Sequence, residues 1–165
     1  MKLSLIVAHS TNGAIGYKGK LPWKCSNDMA YFRKTTIGPG ENANACIMGR
    51  NTWESIPGTH KLPGRVVIVI STTLADIPNG YVARSLEQAL ALAKMLECKD
   101  AFIIGGRALF EEYEQCDELH MTHIHKEVKD ADCFFSPKID TTRWYIADTD
   151  EIGRAHVWTP VTTMI

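Results

Sequence analysis

Apolar residues recur along this chain in two rhythms, and the rhythms sort it into strands and helices. Leu3 to Ala8, Val66 to Ser71 and Ala101 to Ile104 are short, nearly unbroken apolar runs bounded by polar residues or Gly. Such runs suit strands buried on both faces, as in the centre of a parallel sheet. Ala45 to Met48 is a shorter run of the same kind, feeding a helix over Asn51 to Ile56. Ser85 to Leu96 has the helical rhythm instead: Leu86, Ala89, Leu90, Ala93 and Leu96 share one face, with Ser85 placed to cap it. Helices are also predicted over Asp28 to Thr36 and Ala108 to Tyr113, and closing strands over Leu119 to Lys126 and Arg143 to Asp148. His9 to Lys20, punctuated by Gly13, Gly16 and Gly19, reads as a loop. Strands alternating with helices make an α/β fold: a single domain whose mostly parallel central sheet is flanked by helices on both faces. No repeat, low-complexity tract or linker interrupts it.

Composition narrows the picture little further. At 165 residues and 45% hydrophobic content, one sizeable core is expected. A net charge of −1 gives no general attraction to nucleic acid or to an acidic membrane. The longest apolar run, Val66 to Ile70, is far too short to span a bilayer, and Met1-Lys2 leads into a strand rather than a signal segment. Cysteines 25, 46, 98, 116 and 133 are odd in number and lack C-x-x-C spacing. They read as reduced thiols of a cytoplasmic protein, used mainly for packing.

The candidate chemistry gathers at a few positions. Pro22 disfavours helix at Leu21, and Ser26 or Asn27 can cap a helix whose first turn holds Asp28. Asp28, Phe32 and Thr35 then share one face, so the acid heads an apolar stripe. The plain reading of such an acid is dipole compensation at the surface; the Pro-Trp elbow before it makes a half-buried carboxylate plausible. Gly49-Arg50-Asn51-Thr52 and Gly105-Gly106 each follow a strand and open a helix, where free N–H groups can meet phosphate. Glycine at such turns also serves close packing, and neither segment is a G-x-G-x-x-G fingerprint. His120, His123 and His125 lack a fourth ligand nearby, so no metal is expected. Cys25 has no local His partner, and Trp23, Trp53 and Trp144 are too scattered for a stacking platform.

Taken in order, Val7-Ala8, Ile15-Gly16, Leu21-Pro22-Trp23, Asp28, the run from Met48 to Ile56 (MGRNTWESI), Leu62-Pro63-Gly64-Arg65, Ile104-Gly105-Gly106 and Thr122-His123-Ile124 resemble dihydrofolate reductase of the bacterial and phage type. The resemblance covers residues 1 to 151 as one domain. It implies reduction of 7,8-dihydrofolate to tetrahydrofolate by hydride from NADPH, by a cytoplasmic monomer with no nucleic-acid or membrane partner. Asp28 would hold the pterin, with Thr122 in its hydrogen-bond network, and Leu21 and Trp23 would belong to a lid that excludes water. Ile6, Val7, Ala8, Met29, Phe32, Ile56, Leu62 and Ile104 would line the substrate slot, and Arg65 would pair with the glutamate α-carboxylate. On the residues alone, Arg65 could equally be a surface charge after a turn. For the cofactor the resemblance implies Ala8, Ile15, Gly16, Gly49, Arg50, Asn51 and Thr52, with Ser71, Thr72 and Thr73 around the 2′-phosphate. It adds Ile104, Gly105, Gly106, Arg107, Ala108, Leu109 and Phe110, with a cis peptide at Gly105-Gly106. Phe110 stands where many members carry Tyr, and two glycines stand where several have three. Two other readings remain: a riboflavin-pathway pyrimidine reductase of the same fold, and a non-catalytic folate- or nucleotide-binding component. The first has no use for the Trp23/Asp28 pair or Arg65, and the intact Asp28 disfavours the second.

The end of the chain breaks the pattern. Residues 152–165 have weak apolar alternation and a Pro160 that is poor in a paired strand. Back-translated, Ile152 to Thr162 also matches a common sequencing-library adapter but for one base. The segment is therefore expected to be an anomalous, non-native tail, with the usual final strand missing or replaced and Arg143 to Asp150 left as an open edge.

Overall fold

The computed structural model describes residues 1–10, 12–16, 26–124, 129–135, 137–149 and 155–160, and of residues 26–28 and 155 the backbone only. The strands are β1 (Lys2–Ser10), β2 (Ala14–Gly16), β3 (Asn44–Gly49), β4 (Val66–Ile70), β5 (Tyr81–Ala83), β6 (Asp100–Gly105), β7 (Glu118–Ile124), β8 (Cys133–Phe134), β9 (Trp144–Thr149) and β10 (Ala155–Pro160). Helices α1 (Ser26–Ile37), α2 (Arg50–Ser55), α3 (Leu86–Met95) and α4 (Arg107–Phe110) lie between them. Among the described residues, none of these helices is long and apolar enough to cross a membrane.

Eight strands form one sheet in the order β5-β4-β3-β6-β1-β7-β10-β9, and β2 and β8 form a separate small ladder. From β5 to β7 every pairing is parallel; only β10 runs against its neighbours. The unbroken apolar runs have the expected cause. Because side chains alternate across a strand, Ala45, Ile47 and Ile68 join one core, and Cys46, Met48, Val67 and Val69 the other. Leu3, Leu5 and Val7 of β1 enter the first core together with Ile103, Leu119, Met121, Phe110 and Trp144. On α3, Ala89 and Ala93 are fully buried, and Ser85 Oγ caps the helix by accepting the Gln88 N–H at 3.1 Å, as its spacing predicted.

Several details differ from the expectation. Strands β2, β5 and β8 have two or three residues each, too few to show a rhythm. On α1 the fully buried residue is Thr36 rather than Thr35; its hydroxyl donates to the Phe32 carbonyl at 2.7 Å. The largest difference is at the end of the chain. The closing strand is not missing, because β10 lies between β7 and β9 and pairs with both. Pro160, which argued against a strand, is the last residue of β10, where a missing N–H is tolerated. Trp158 supplies the apolar contact, packing against the first core. Strand β9 is accordingly not left without a partner, and Asp150 lies outside the described residues.

Removal of residues 152–165 therefore uncovers an edge of β7 and part of the first core. The melting temperature of the shortened chain is expected to fall by at least about 5 °C. An unchanged melting curve would show that β10 contributes nothing to the sheet.

Candidate active site at the carboxyl edge of the sheet

Parallel pairing brings the carboxyl ends of β1, β3, β6 and β7 to one edge. Ala8 and Thr122 are register partners there, as are Met48 and Gly105. Gly49 and Gly106 stand at the starts of α2 and α4, and neither helix has a side-chain cap or an acid in its first turn. The two turns nearly touch: a Cβ on Gly49 would lie 3.9 Å from the Gly106 nitrogen. A Cβ on Gly105 would lie 2.8 Å from Thr52 Oγ1, and one on Gly106 3.1 Å from the same atom. Gly105 has φ +152°, so both its backbone and its close neighbour require glycine. The peptide between Gly105 and Gly106 is cis, as expected.

Beside this double turn lies a cluster of donors. Arg50 Nη1 donates to Thr73 Oγ1 at 3.1 Å, and Nε donates to Glu54 Oε1 at 2.8 Å. Ser71 Oγ accepts the N–H groups of Thr73 and Leu74 at 3.2 and 3.1 Å, which folds 71–74 into a tight turn. Arg84 was not foreseen. Its Nη1 donates to the carbonyls of Ser71 and Leu74, both at 2.6 Å, and so fixes the turn from the end of β5. A single Arg before a helix cap has no motif by which sequence could have found it. Thr72, Thr73, Asn51, Arg107 and Ala108 are exposed, Leu109 and Ile15 are half-buried, and Gly16 ends β2.

The other half of the edge lies against α1. Phe32 is half-buried, with the Arg65 guanidinium carbon 5.9 Å from its ring centroid. Arg65 is 7% exposed, so it is not a surface charge. Its Nη1 donates to Thr36 Oγ1 at 3.0 Å and its Nη2 to the Pro63 carbonyl at 3.3 Å; its Nε is buried without a partner. No carboxylate pairs with it among the described residues. Burial holds the Arg65 pKa below its ordinary value, and the same desolvation pushes the neighbouring Cys46 thiol up to about 12. Ile56, Leu62 and Ile104 pack with Trp53 on the second core, which shares this face with Thr36 and Arg65. Met29 is 64% exposed at the mouth.

Two expectations need correction on side-chain direction. Ile6 and Ala8 point to the α1 face with Thr122, but Val7 points into the opposite core with Leu119 and Met121. Val7 can therefore offer a ligand only its backbone. Phe110 is 3% exposed and packs on Phe135 with ring centroids 5.5 Å apart, so its ring belongs to the core. Thr122 is buried at the edge. Leu21, Trp23 and Cys25 lie outside the described residues, as does the Asp28 side chain; the Asp28 backbone is in the first turn of α1.

The histidines are divided between the two faces. His9 and His123 are register partners and stack with ring centroids 5.2 Å apart, whereas His120 faces α1; His125 lies outside the described residues. Among the described residues no three His, Cys, Asp or Glu side chains are grouped to hold a metal ion. Cys46, Cys98, Cys116 and Cys133 are free thiols. Trp53 carries the Lys61 ammonium 4.3 Å from its ring centroid, and Trp144 is buried in the first core.

Comparison with known proteins agrees with this geometry. The dihydrofolate reductase family model matches residues 2–159, which includes most of β10. The dihydrofolate reductase of Schistosoma mansoni is 40% identical over 164 residues, covering 92% of this chain and 87% of that protein. The Drosophila melanogaster dihydrofolate reductase is 35% identical, covering 91% and 87%. The bifunctional dihydrofolate reductase-thymidylate synthase of Daucus carota is 34% identical, covering 86% of this chain and 30% of its own length. These relatives are eukaryotic, so the expected bacterial or phage subtype is not what the comparison supports. The chain belongs to the dihydrofolate reductase family.

Proposed function

We propose that this chain reduces 7,8-dihydrofolate to 5,6,7,8-tetrahydrofolate with NADPH, and that the two halves of the carboxyl edge divide the work. The observation that carries the reading is the pairing of a phosphate-sized double-glycine turn with a buried, carboxylate-seeking guanidinium, Arg65, on the neighbouring α1 face.

NADPH supplies the hydride. The residues that would hold it fit a dinucleotide phosphate: Gly49, Gly105 and Gly106 set two uncapped helix starts side by side under Thr52, with backbone N–H groups free for an anion, and Arg50 offers a fork of donors beside Ser71, Thr72 and Thr73. The remaining steps belong to the chain. Asp28 accepts the parallel N–H and amino donors of the pterin and fixes its orientation and tautomer, with Thr122 completing the network. The proton arrives at N5 through water, since Asp28 is the one ionisable side chain assigned to the pterin. Phe32, Ile56, Leu62 and Ile104 exclude water along the ring and benzoyl slot. Arg65 pairs with the glutamate α-carboxylate, which would satisfy its orphaned Nε. Leu21 and Trp23 would close the site as part of its lid.

The chain is read as a cytoplasmic monomer that binds neither nucleic acid nor membrane. The net charge of −1 and the free cysteines at 46, 98, 116 and 133 support this reading.

Asp28→Asn is expected to slow hydride transfer at pH 7 by roughly 30- to 1,000-fold, from the loss of about 2–4 kcal/mol of charge-assisted pairing. NADPH affinity should survive the change; near wild-type turnover would remove Asp28 from the mechanism. Arg65→Leu should raise KM for dihydrofolate at least about ten-fold and leave a pterin without the glutamate tail unaffected. Its melting temperature should hold or rise, because the variant removes a buried cation that no carboxylate neutralises among the described residues. Equal losses for both substrates would assign Arg65 to folding.

A further inference from the structure

On the α1 face, two residues from Thr122 along β7, three polar side chains form a chain that the assigned chemistry does not use. Tyr31 Oη lies 2.9 Å from His120 Nδ1, and His120 Nε2 lies 3.0 Å from Glu118 Oε2. Lys2 Nζ completes the series, donating to Glu118 Oε1 at 3.2 Å. His120 keeps 11% of its side-chain exposure, with Phe102 edge-on at 6.2 Å between ring centroids. The donors can be assigned. A Glu118 carboxylate paired with Lys2 only accepts, so Nε2 carries the imidazole proton. In the neutral ring Nδ1 then accepts, and the Tyr31 hydroxyl must be its donor.

The ends of this chain matter as much as its links. Tyr31 stands one helical turn after Asp28 on α1. His120 and Thr122 point to the same face of β7, opposite Ile6 and Ala8 of β1. A hydrogen bond from residue 31 to residue 120 thus ties α1 to β7 one helical turn from Asp28 and two residues from Thr122. We propose that Tyr31, His120 and Glu118 form a hydrogen-bonded strut that sets the distance between the N-terminal half of α1 and strand β7, making His120 a positioning residue for the reduction.

The strut also makes the site sensitive to acid. A protonated His120 would present Nδ1–H to Tyr31, whose hydroxyl would have to rotate and accept. Glu118 on β7 and Lys2 on β1 are the charged groups beside the ring, and desolvation keeps its pKa below the ordinary value despite Glu118. The other neighbours are Tyr31 on α1, Phe102 on β6, Ile6 on β1 and Val157 on β10. Since the neutral form is the one folded in, the strut with Tyr31 as donor is present above pH 6.5 and gives way to the reversed bond as pH falls from there through the lowered value.

This inference rests on the reading of Asp28, and the test keeps the two apart. Single-turnover hydride transfer is measured against pH for the full chain, for Tyr31→Phe, His120→Asn and Asp28→Asn, with nitrogen NMR of the imidazoles. Tyr31→Phe should slow transfer at pH 7 on the order of ten-fold with NADPH affinity unchanged, as a small misplacement of reacting groups does. His120→Asn keeps an acceptor near the Nδ1 position but cannot be protonated. It should transfer hydride faster than Tyr31→Phe above pH 7 and lose the acid-side decline. The spectrum, assigned with that variant, should show His120 as the Nε2–H tautomer; this decides the geometry even if Tyr31→Phe does not fold. A wild-type rate and pH profile in Tyr31→Phe, or an Nδ1–H tautomer, overturns the strut. A wild-type rate in Asp28→Asn overturns the Asp28 reading instead, and the tautomer still reports on the strut.

Discussion

Uninterrupted parallel pairing from β5 to β7 is the constraint on which the rest depends. Parallel strands must each return through a crossover, so every strand in that stretch ends at the same edge and hands the chain to a turn or a helix there. That geometry sets Gly49 against Gly106 and Ala8 against Thr122, though each pair is widely separated in sequence. The glycines follow from it. Once β3 and β6 are neighbours, Thr52 sits where a Cβ on Gly105 would have to go. The site is therefore a consequence of sheet order, and the side chains at its edge specify what it binds.

The alternation of side chains adds a second division. One face of β1 and β7 is apolar: Leu5, Val7, Leu119 and Met121 close a core that also holds Phe110 and Trp144. The other face carries His120 and Thr122 of β7 on the side of α1, where Thr36 of α1 and Arg65 are also buried. A guanidinium with no carboxylate partner among the described residues and an imidazole held neutral are both costly to bury. A face designed for stability alone would have filled these positions with Leu or Ile. The cost makes sense where a ligand completes the pairing, and it is why this face holds the proposed substrate site.

Sequence rhythm was most informative where elements were long and buried. Strands β1, β4 and β6, and α3 with its Ser85 cap, were all legible because propensity, rhythm and capping agreed. Strands β2, β5 and β8 were not, since two or three residues carry no rhythm. The end of the chain misled for another reason. Pro160 and weak alternation argued against a strand, yet β10 needs only one well-placed apolar residue, Trp158, because β7 and β9 supply its backbone partners. At the site, motif order identified Gly49, Arg50, Gly105 and Gly106 without indicating that Thr52 would close over the glycines. The resemblance implied Val7 in the slot, but strand alternation turns its side chain into the first core. Arg84 and the Tyr31–His120 bond depend on partners 10 to 89 residues distant, which no local pattern reveals.

The central claim is that one sheet edge holds two ligands on separate sets of residues. Amide hydrogen exchange on the full chain, with NADPH alone, with folate alone and with both, tests it most directly. NADPH should protect 49–54, 71–74 and 105–110; folate should protect 28–36 and 62–66; both together should protect the two sets at once. Protection of a single shared set by either ligand, or protection confined to the β5 and α3 region at 81–99, would contradict it.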